Sequence, residues 1–166
     1  MTTDPLTAGV PAAELVRELA THGHTVATAE SLTAGLLGAT IAGVPGASAV
    51  LRGGLIVYAT DLKHSLAEVD ADLLRTDGPV AARTAEQLAV GARVRCAATW
   101  GCGLTGVAGP DSQDGHPVGT VFLGLSSPWH TEVIRLQLSG DRWTIRLAAA
   151  HTAVRELLRC VRGLTV

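Results

Sequence analysis

The order of helix-like and strand-like segments is the feature that most constrains the fold of this sequence. An amphipathic run over residues 11–21 predicts a first helix, and the alternating residues 24–29 predict the strand that follows it. Both kinds of segment then alternate until two successive strands form a hairpin-like pair before the last helix. This order predicts an α/β protein, built as a three-layer α/β/α sandwich on a mixed β-sheet. The remaining segments are helices over 33–42, 61–67, 79–94 and 141–163 and strands over 49–59, 96–104, 119–126 and 131–138.

Three local signals mark expected bends and helix starts. The Gly53-Gly54 pair predicts a bulge or bend in the second strand, because glycine weakens regular pairing. Asp61 is a candidate N-cap for the short helix that contains Lys63. Pro79 suits the first turn of the next helix, where no backbone hydrogen bond is lost.

The chain is long enough for one domain with its own hydrophobic core. It has 166 residues, of which 47% are apolar and 17% are charged, and this composition excludes a disordered chain. We expect a single domain over residues 1–166, with residues 1–8 as a flexible N-terminus. The net charge of −2 predicts no nucleic-acid partner, and no basic run predicts an anionic membrane partner.

Neither a membrane span nor a secretion signal is expected. No stretch approaches the roughly 18 consecutive apolar residues of a span, and the N-terminus lacks a basic region followed by an apolar one. The odd count of 3 cysteines disfavours a disulfide framework. We interpret Cys96, Cys102 and Cys160 as reduced core residues, the first two within a strand-like run. These features predict a cytoplasmic protein.

Ser31 lies in the first candidate site, the segment Ala-Glu-Ser-Leu-Thr-Ala-Gly over residues 29–35. This segment falls at a strand-to-helix turn, where open α/β sheets gather functional groups. Free backbone N–H groups at a helix start can hold a developing oxyanion beside a nucleophilic serine. The alternative is that Ser31 or Thr33 serves only as the helix N-cap, a common role for these residue types.

Lys63 is the only lysine among 13 basic residues, and Tyr58 is the only tyrosine. Arginine keeps its proton in proteins, whereas burial lets a lysine lose its proton and act as a base. A neutral lysine can therefore activate a serine, and a nearby tyrosine hydroxyl can relay or orient the proton. The alternative is that Tyr58 is a core aromatic residue whose hydroxyl contacts solvent and that Lys63 is a solvated helix residue. The presence of Ser31 favours the catalytic interpretation.

A glycine-rich segment from Gly103 to Asp111 follows the strand over residues 96–104. Its glycines let backbone amides approach an anion closely, and Thr105 adds a hydroxyl. The segment matches neither a Walker loop nor the dinucleotide fingerprint, so a plain turn is the alternative. Residues 111–116 contain carboxylates and a histidine but lack the closing glutamate of a calcium loop, which favours a solvated loop.

Arg142 and Arg146 lie one turn apart at the start of the last helix. Arginine binds phosphate in a bidentate manner, and the helix start adds a favourable field. The alternative is a capped helix with solvated arginines.

These segments together resemble the C-terminal domain of the CinA (competence/damage-inducible) family, a domain that also occurs as a free-standing nicotinamide-nucleotide amidase. The likeness extends from the first helix to the last. Its signatures are Ala29-Glu30-Ser31-x-Thr33, Tyr58-x4-Lys63, Thr105-Gly106-x-Ala108-Gly109-Pro110-Asp111, Pro117-Val118-Gly119-Thr120 and Ser139-Gly140-Asp141-Arg142.

The resemblance implies an α/β/α homodimer that hydrolyses the carboxamide of nicotinamide mononucleotide, without a metal or a cofactor. The products would be nicotinate mononucleotide and ammonia. Ser31 would be the nucleophile and Lys63 the base, with Tyr58 assisting. The implied substrate-binding residues are Glu30, Thr33, Thr105, Gly106, Gly109 and Arg142.

The chain departs from the family pattern at two places. The usual Ser-Cys-Thr-Gly-Gly is Ser-Leu-Thr-Ala-Gly here, and Ala34 constrains a turn where the family has glycine. The loop after Asp111 is short and lacks the usual glycine pair. Full-length members of the family also have an N-terminal domain that is associated with nucleotide pyrophosphatase activity. We do not assign that activity to this chain. Two alternatives stay open: a non-catalytic nucleotide-binding accessory protein, and an amidase for another small amide.

Overall fold

A five-stranded mixed β-sheet carries helices on both faces in the computed structural model, which describes residues 4–163. Two short 3-10 turns, at Pro5–Thr7 and Ala47–Ala49, accompany the regular elements. The strands are β1 (Val26–Glu30), β2 (Leu51–Ile56), β3 (Trp100–Gly106), β4 (Thr120–Ser126) and β5 (Thr131–Gln137). The helices are α1 (Ala12–Thr21), α2 (Leu36–Ala42), α3 (Thr60–Ser65), α4 (Ala71–Thr76), α5 (Ala82–Arg95) and α6 (Arg142–Gly163).

The sheet order β2-β1-β3-β4-β5 confirms the predicted mixed α/β architecture. Strand β1 pairs in parallel with β2 and β3, whereas β4 pairs antiparallel with β3 and β5. The carboxyl ends of β1, β2 and β3 therefore meet at one edge of the sheet, as in other open α/β sheets. The residues that follow these three strands contain three of the four segments that the sequence marked as candidate sites, and the fourth lies at the start of α6.

The two faces of the sheet carry different sets of helices. Helices α1, α2 and α6 cover one face, with a large apolar cluster that includes Leu15, Leu37 and Leu157. Helix α5 covers the other face, beside a smaller cluster to which Leu73 of α4 contributes. This arrangement is the predicted three-layer sandwich.

Alternating residues give the two faces of β3 opposite character. Trp100, Cys102 and Leu104 are buried in the larger apolar cluster. Gly101 and Gly103 face α5 instead: a Cβ at Gly103 would lie 2.4 Å from the carbonyl oxygen of Ala85, and one at Gly101 would lie 1.9 Å from that of Ala89. The absence of side chains at these two positions lets α5 pack directly on the sheet backbone. Gly124 of β4 continues the close contact, since its Cβ would lie 2.2 Å from the same Ala85 oxygen.

Several predicted boundaries were wrong, and each has a local physical reason. Cys96 does not begin a strand but ends α5, because its N–H donates to the carbonyl of Ala92. Asp61 is not the N-cap of α3, which begins at Thr60 after Ala59 and has no side-chain cap. Pro79 precedes α5 instead of lying in its first turn, since the helix begins at Ala82.

Helix α4 was not predicted from the sequence at all. Asp70 caps it, accepting hydrogen bonds from the N–H groups of Asp72 and Leu73. The expected bend at the Gly53-Gly54 pair is present as an irregularity, because the pairing of β1 with β2 skips Arg52 immediately before that pair.

The N-terminal segment and the cysteines can be placed in part. Residues 1–3 lie outside the described range, and the carbonyl of Leu6 in the first 3-10 turn accepts a hydrogen bond from His151 Nε2 at 2.8 Å. All three cysteines are free thiols, with Cys102 and Cys160 buried and Cys96 half-buried. Among the described residues, no helix combines the length and apolar character needed to cross a membrane.

We predict that Gly103→Ala lowers the free energy of unfolding by about 1–3 kcal/mol, because the added methyl group pushes α5 away from β3. Urea denaturation measures the change. Gly163→Ala is the control, since a Cβ at that position has no atom within 4 Å. Equal unfolding midpoints for the Gly103→Ala variant and the unaltered protein would contradict the packing argument.

Candidate functional site

Ser31 is the first residue after β1, at the sheet edge where the parallel strands end. Its N–H donates to the carbonyl of Leu104 on β3 at 2.9 Å, which extends the parallel pairing by one residue. The chain then turns, and the N–H of Ala34 donates to the carbonyl of Ser31 at 3.1 Å. Ser31 is therefore held by the sheet on one side and by a tight turn on the other.

Lys63 of α3 is buried against this turn, with only 1% of its surface exposed. Its Nζ lies 3.1 Å from Ser31 Oγ, 2.8 Å from the carbonyl oxygen of Val57 and 3.2 Å from that of Tyr58. Burial disfavours the charged form and lowers the pKa of Lys63 to about 8. A substantial fraction of the amine is therefore neutral near physiological pH.

The three contacts of Lys63 can be made by an ammonium group or by a neutral amine. An ammonium group has three N–H donors, whereas a neutral amine has two donors and one lone pair. If the two donors point to the carbonyls of Val57 and Tyr58, the lone pair faces Ser31 Oγ. The arrangement can therefore accept a proton from the serine hydroxyl.

Tyr58 lies at the mouth of the site and not beside the amine. Its side chain is 54% exposed, and its hydroxyl accepts a hydrogen bond from Arg142 Nη2 at 2.7 Å. Across residues 4–163, that hydroxyl makes no hydrogen bond to Lys63 or Ser31. The structure therefore does not bring the tyrosine hydroxyl into the position that a direct proton relay requires.

A cavity of about 140 Å³ opens in front of Ser31 and Lys63. Thr105 lies in its wall, with its hydroxyl donating to the carbonyl of Pro79 at 2.6 Å. Arg142 reaches the same cavity from the start of α6 and donates from Nη1 to the carbonyl of Gly109. Of the residues predicted from the sequence, the cavity gathers Ser31, Tyr58, Lys63, Thr105, Gly106, Gly109 and Arg142.

Glu30 is among the predicted substrate-binding residues, but it does not line this cavity. Its carboxylate is buried and accepts hydrogen bonds from the N–H groups of Gly35, Leu37 and Gly38, at 3.0, 3.1 and 2.9 Å. These donors are free N–H groups at the start of α2, which a helix leaves without internal partners. Glu30 therefore fixes the turn that carries Ser31.

Thr33 is also placed behind the cavity. It is fully buried, and within the described residues its hydroxyl has no hydrogen-bond partner. Arg146 donates from Nε to the carbonyl of Leu32 at 2.7 Å and from Nη2 to that of Thr33 at 3.3 Å. The two arginines that share a helix face in the sequence thus have different roles, because only Arg142 reaches the cavity.

Ala34 adopts the left-handed conformation, with φ of 48°. This region favours glycine because a Cβ is crowded there. Ala34 is therefore held in a strained conformation that glycine adopts more easily, and the following Gly35 also has a positive φ of 98°.

Eight of the residues that line the cavity were not predicted as site residues, and three of them, Leu32, Val107 and Ala108, lie within segments that the sequence marked. Asp111 and Gln113 belong to the loop that the sequence suggested was merely solvated, and Thr60 begins α3. Pro79 and Val80 come from the segment before α5. Asp111 carried a usable signal, since it ends the glycine-rich motif. Thr60, Pro79 and Val80 reach the cavity only through the packing of α3 and α5.

Fold and site together define an α/β/α domain with a buried lysine hydrogen-bonded to a serine at the edge of its sheet. Residues 10–161 match the model of the CinA C-terminal domain. The chain belongs to this family.

Its curated relatives are longer proteins. A CinA-like protein of Frankia casuarinae is 45% identical over 146 residues, which cover 88% of this chain and 34% of that protein. Competence-damage inducible proteins of Geobacillus sp. and Streptococcus pneumoniae are 46% and 43% identical over 87% and 89% of this chain, and over 35% of their own lengths. The chain thus spans about a third of the length of the curated relatives it matches.

Solved structures share the whole domain. The competence/damage inducible protein CihA from Agrobacterium tumefaciens superposes with a TM-score of 0.85 at 32% identity, covering 98% of this chain and 99% of that one. A CinA superfamily protein from Klebsiella pneumoniae has a TM-score of 0.89 at 24% identity, covering 98% and 99%, and supports the fold alone.

We predict that Glu30→Gln lowers the free energy of unfolding by about 1–3 kcal/mol. The amide group keeps one acceptor oxygen but turns an NH₂ donor towards a backbone N–H at the start of α2. Denaturant unfolding measures the loss. Glu86→Gln on the exposed side of α5 is the matched control and is expected to change little. Equal stabilities of the two variants would contradict the capping role of Glu30.

Proposed function

We propose that this chain is an amidohydrolase that converts nicotinamide mononucleotide to nicotinate mononucleotide and ammonia, with Ser31 as nucleophile and Lys63 as base. The observation that carries the proposal is the 3.1 Å contact between Lys63 Nζ and Ser31 Oγ. The two carbonyl contacts of Lys63 support it, because they leave the lone pair of the neutral amine for the serine. Membership of the CinA family supports the same fold and motif order.

The first half of the proposed reaction forms an ester with the enzyme. Lys63 takes the hydroxyl proton while Ser31 Oγ attacks the carboxamide carbon, giving a tetrahedral intermediate with a negatively charged oxygen. The intermediate collapses as its C–N bond breaks. Lys63 returns the proton to the leaving nitrogen, so that ammonia departs and the acyl group stays on Ser31.

The second half returns the enzyme to its starting state. A water molecule attacks the ester carbon as Lys63 removes one of its protons. The C–O bond to Ser31 then breaks, and Lys63 gives the proton back to Ser31 Oγ. The product leaves as a carboxylic acid, which releases its proton to solvent and becomes the carboxylate of nicotinate mononucleotide.

Backbone donors beside the nucleophile can stabilise the negatively charged oxygen. Among residues 4–163, the N–H groups of Leu32 and Thr33 have no protein acceptor. They follow the nucleophile directly, and the N–H of the residue after the nucleophile forms part of the oxyanion hole in other serine hydrolases. Of the two residues only Leu32 lines the cavity, and we assign the oxyanion site to its N–H.

The far side of the cavity suits a nucleotide monophosphate. Arg142 uses two of its five N–H donors on protein acceptors, and the rest can bind phosphate oxygens at the mouth. Asp111, Gln113 and Thr60 offer polar groups for ribose hydroxyls. In this proposal Tyr58 assists by orienting Arg142 and by supplying its carbonyl to Lys63. A homodimer and a cytoplasmic location stay predictions from the sequence.

Two other functions fit parts of the site, and the contacts of Lys63 count against only the first of them. An accessory protein that only binds nucleotides has no need of a desolvated lysine, which destabilises the fold unless its donors are satisfied. An amidase for another small amide shares the Ser31–Lys63 chemistry and differs only in what Arg142 and the loop residues bind.

We predict that ammonia release from nicotinamide mononucleotide falls at least about 10²-fold in Lys63→Arg and further in Ser31→Ala. Arginine keeps the positive charge but cannot accept the serine proton. Coupled detection of ammonia measures the rates, and Ser65→Ala on the exposed part of α3 is the control serine variant.

Calorimetric titration with the same nucleotide separates the alternatives. If the unaltered protein binds the nucleotide but releases no ammonia, the result would support the accessory-protein function. Release from other amides, with no binding of the mononucleotide, would leave an amidase of different specificity. Ammonia release by Ser31→Ala at the unaltered rate would contradict the nucleophile assignment.

We predict that kcat/KM rises with pH through an apparent pKa near 8 and then levels off. Lys63 acts as a base only when it is neutral, and burial lowers its pKa to about 8. Initial rates measured across this range, with thermal unfolding followed at each pH, separate titration of the base from loss of the fold. A flat profile between about pH 6 and pH 10 would contradict Lys63 as the base.

A further inference from the structure

A cluster of three different donor side chains lies at the edge of the sheet opposite the Ser31 cavity. His130 precedes β5, Glu132 lies in β5, and Cys160 lies near the end of α6. His130 and Glu132 reach this edge because the start of β5 pairs with the end of β4, which in turn pairs with the start of β3. The imidazole nitrogen, a carboxylate oxygen and the thiol sulfur all lie within 4.8 Å of one another.

The chemistry of the donors is that of a transition-metal site. Imidazole, thiolate and carboxylate are the side chains that bind zinc, at bond lengths of about 2.0–2.3 Å. Two ligands at such distances in a tetrahedral site lie roughly 3.3–3.8 Å apart. Here His130 Nε2 is 3.3 Å from Glu132 Oε2, and Cys160 Sγ is 3.0 Å from Glu132 Oε1. These separations are close to those of two ligands that share one metal ion.

Rigid elements hold these donors in place. The N–H of Ser127 donates to the carbonyl of His130 at 2.7 Å, and the N–H of His130 donates to Ser127 Oγ at 3.0 Å. Glu132 is paired in the ladder opposite Leu125 of β4. Cys160 is 5% exposed and belongs to the larger apolar cluster, whereas the side chains of His130 and Glu132 are 38% and 26% exposed. Solvent therefore reaches the cluster from one side only.

We propose that His130, Glu132 and Cys160 form a binding site for a zinc-like transition-metal dication, with its remaining coordination position open to solvent. The Cys160 thiol loses its proton to solvent when the metal–sulfur bond forms, and His130 and Glu132 bind through a ring nitrogen and a carboxylate oxygen. The site does not depend on the proposed amidase activity, since it lies at the other end of the strands from Ser31.

Arg159 affects the metal affinity of this site, because it competes with a bound metal for Glu132. Its guanidinium contacts Glu132 Oε1 and also binds Glu156 Oε2 at 2.7 Å. In the metal-free protein, Arg159 neutralises the carboxylate of Glu132. A bound dication competes with this cation for the same oxygen atoms, and Glu156 remains as a partner for the displaced guanidinium. Arg159 is therefore expected to weaken metal binding.

Cobalt(II) tests the proposal because cobalt bound to a thiolate gives a near-ultraviolet charge-transfer band. Chelator-treated protein is titrated with cobalt chloride under reducing conditions. We expect one equivalent to produce the band, Cys160→Ser to abolish it, and Cys96→Ser, the control thiol variant, to retain it. Arg159→Gln is expected to bind cobalt about tenfold more tightly, because the competing cation is gone.

Zinc and thermal unfolding give a second measurement that does not rely on the buried thiol. A ligand that binds only the folded state raises the unfolding temperature. Zinc is expected to raise it for the unaltered protein and not for His130→Ala, which replaces a partly exposed side chain. Absence of the band in the unaltered protein, its persistence in Cys160→Ser, or unchanged affinity in Arg159→Gln would each overturn the proposal.

Discussion

The carboxylate of Glu30 is the constraint on which the site depends, because it joins the end of β1 to the start of α2. It accepts three backbone N–H groups that the helix leaves without internal partners. The turn between the two elements is thereby closed, although Ala34 within it occupies a conformation that favours glycine. Arg146 holds the same turn from α6 by its two carbonyl contacts. Ser31 is consequently presented at a fixed position.

Lys63 shows how hydrogen bonds within the fold stabilise a buried amine that burial alone would destabilise. Removing an ammonium group from water is unfavourable, and this cost lowers its pKa. Two carbonyl oxygens at the end of β2 offset part of the cost by accepting hydrogen bonds. The balance leaves an amine that titrates near neutral pH beside a serine hydroxyl, which is the property that a general base needs.

The glycines of β3 connect this local geometry to the rest of the fold. Because Gly101 and Gly103 have no side chains, α5 lies against the sheet, and the segment before it comes close to the end of β3. Thr105 continues the same face of the strand and binds the carbonyl of Pro79. The close packing of α5 on the sheet therefore helps to place Pro79 and Thr105 in one wall of the cavity.

The sequence by itself determined the order of the elements except α4, the mixed α/β architecture and the family signatures around Ser31, Lys63 and Thr105. These follow from local periodicity, turn residues and motif spacing, which a single chain displays along its length. Only the tertiary structure decided that Glu30 caps a helix, that Arg146 binds a turn 113 residues away, and that the Tyr58 hydroxyl meets Arg142 instead of Lys63. Such contacts join segments that are distant in sequence, and their partners are selected by packing on the two faces of the sheet.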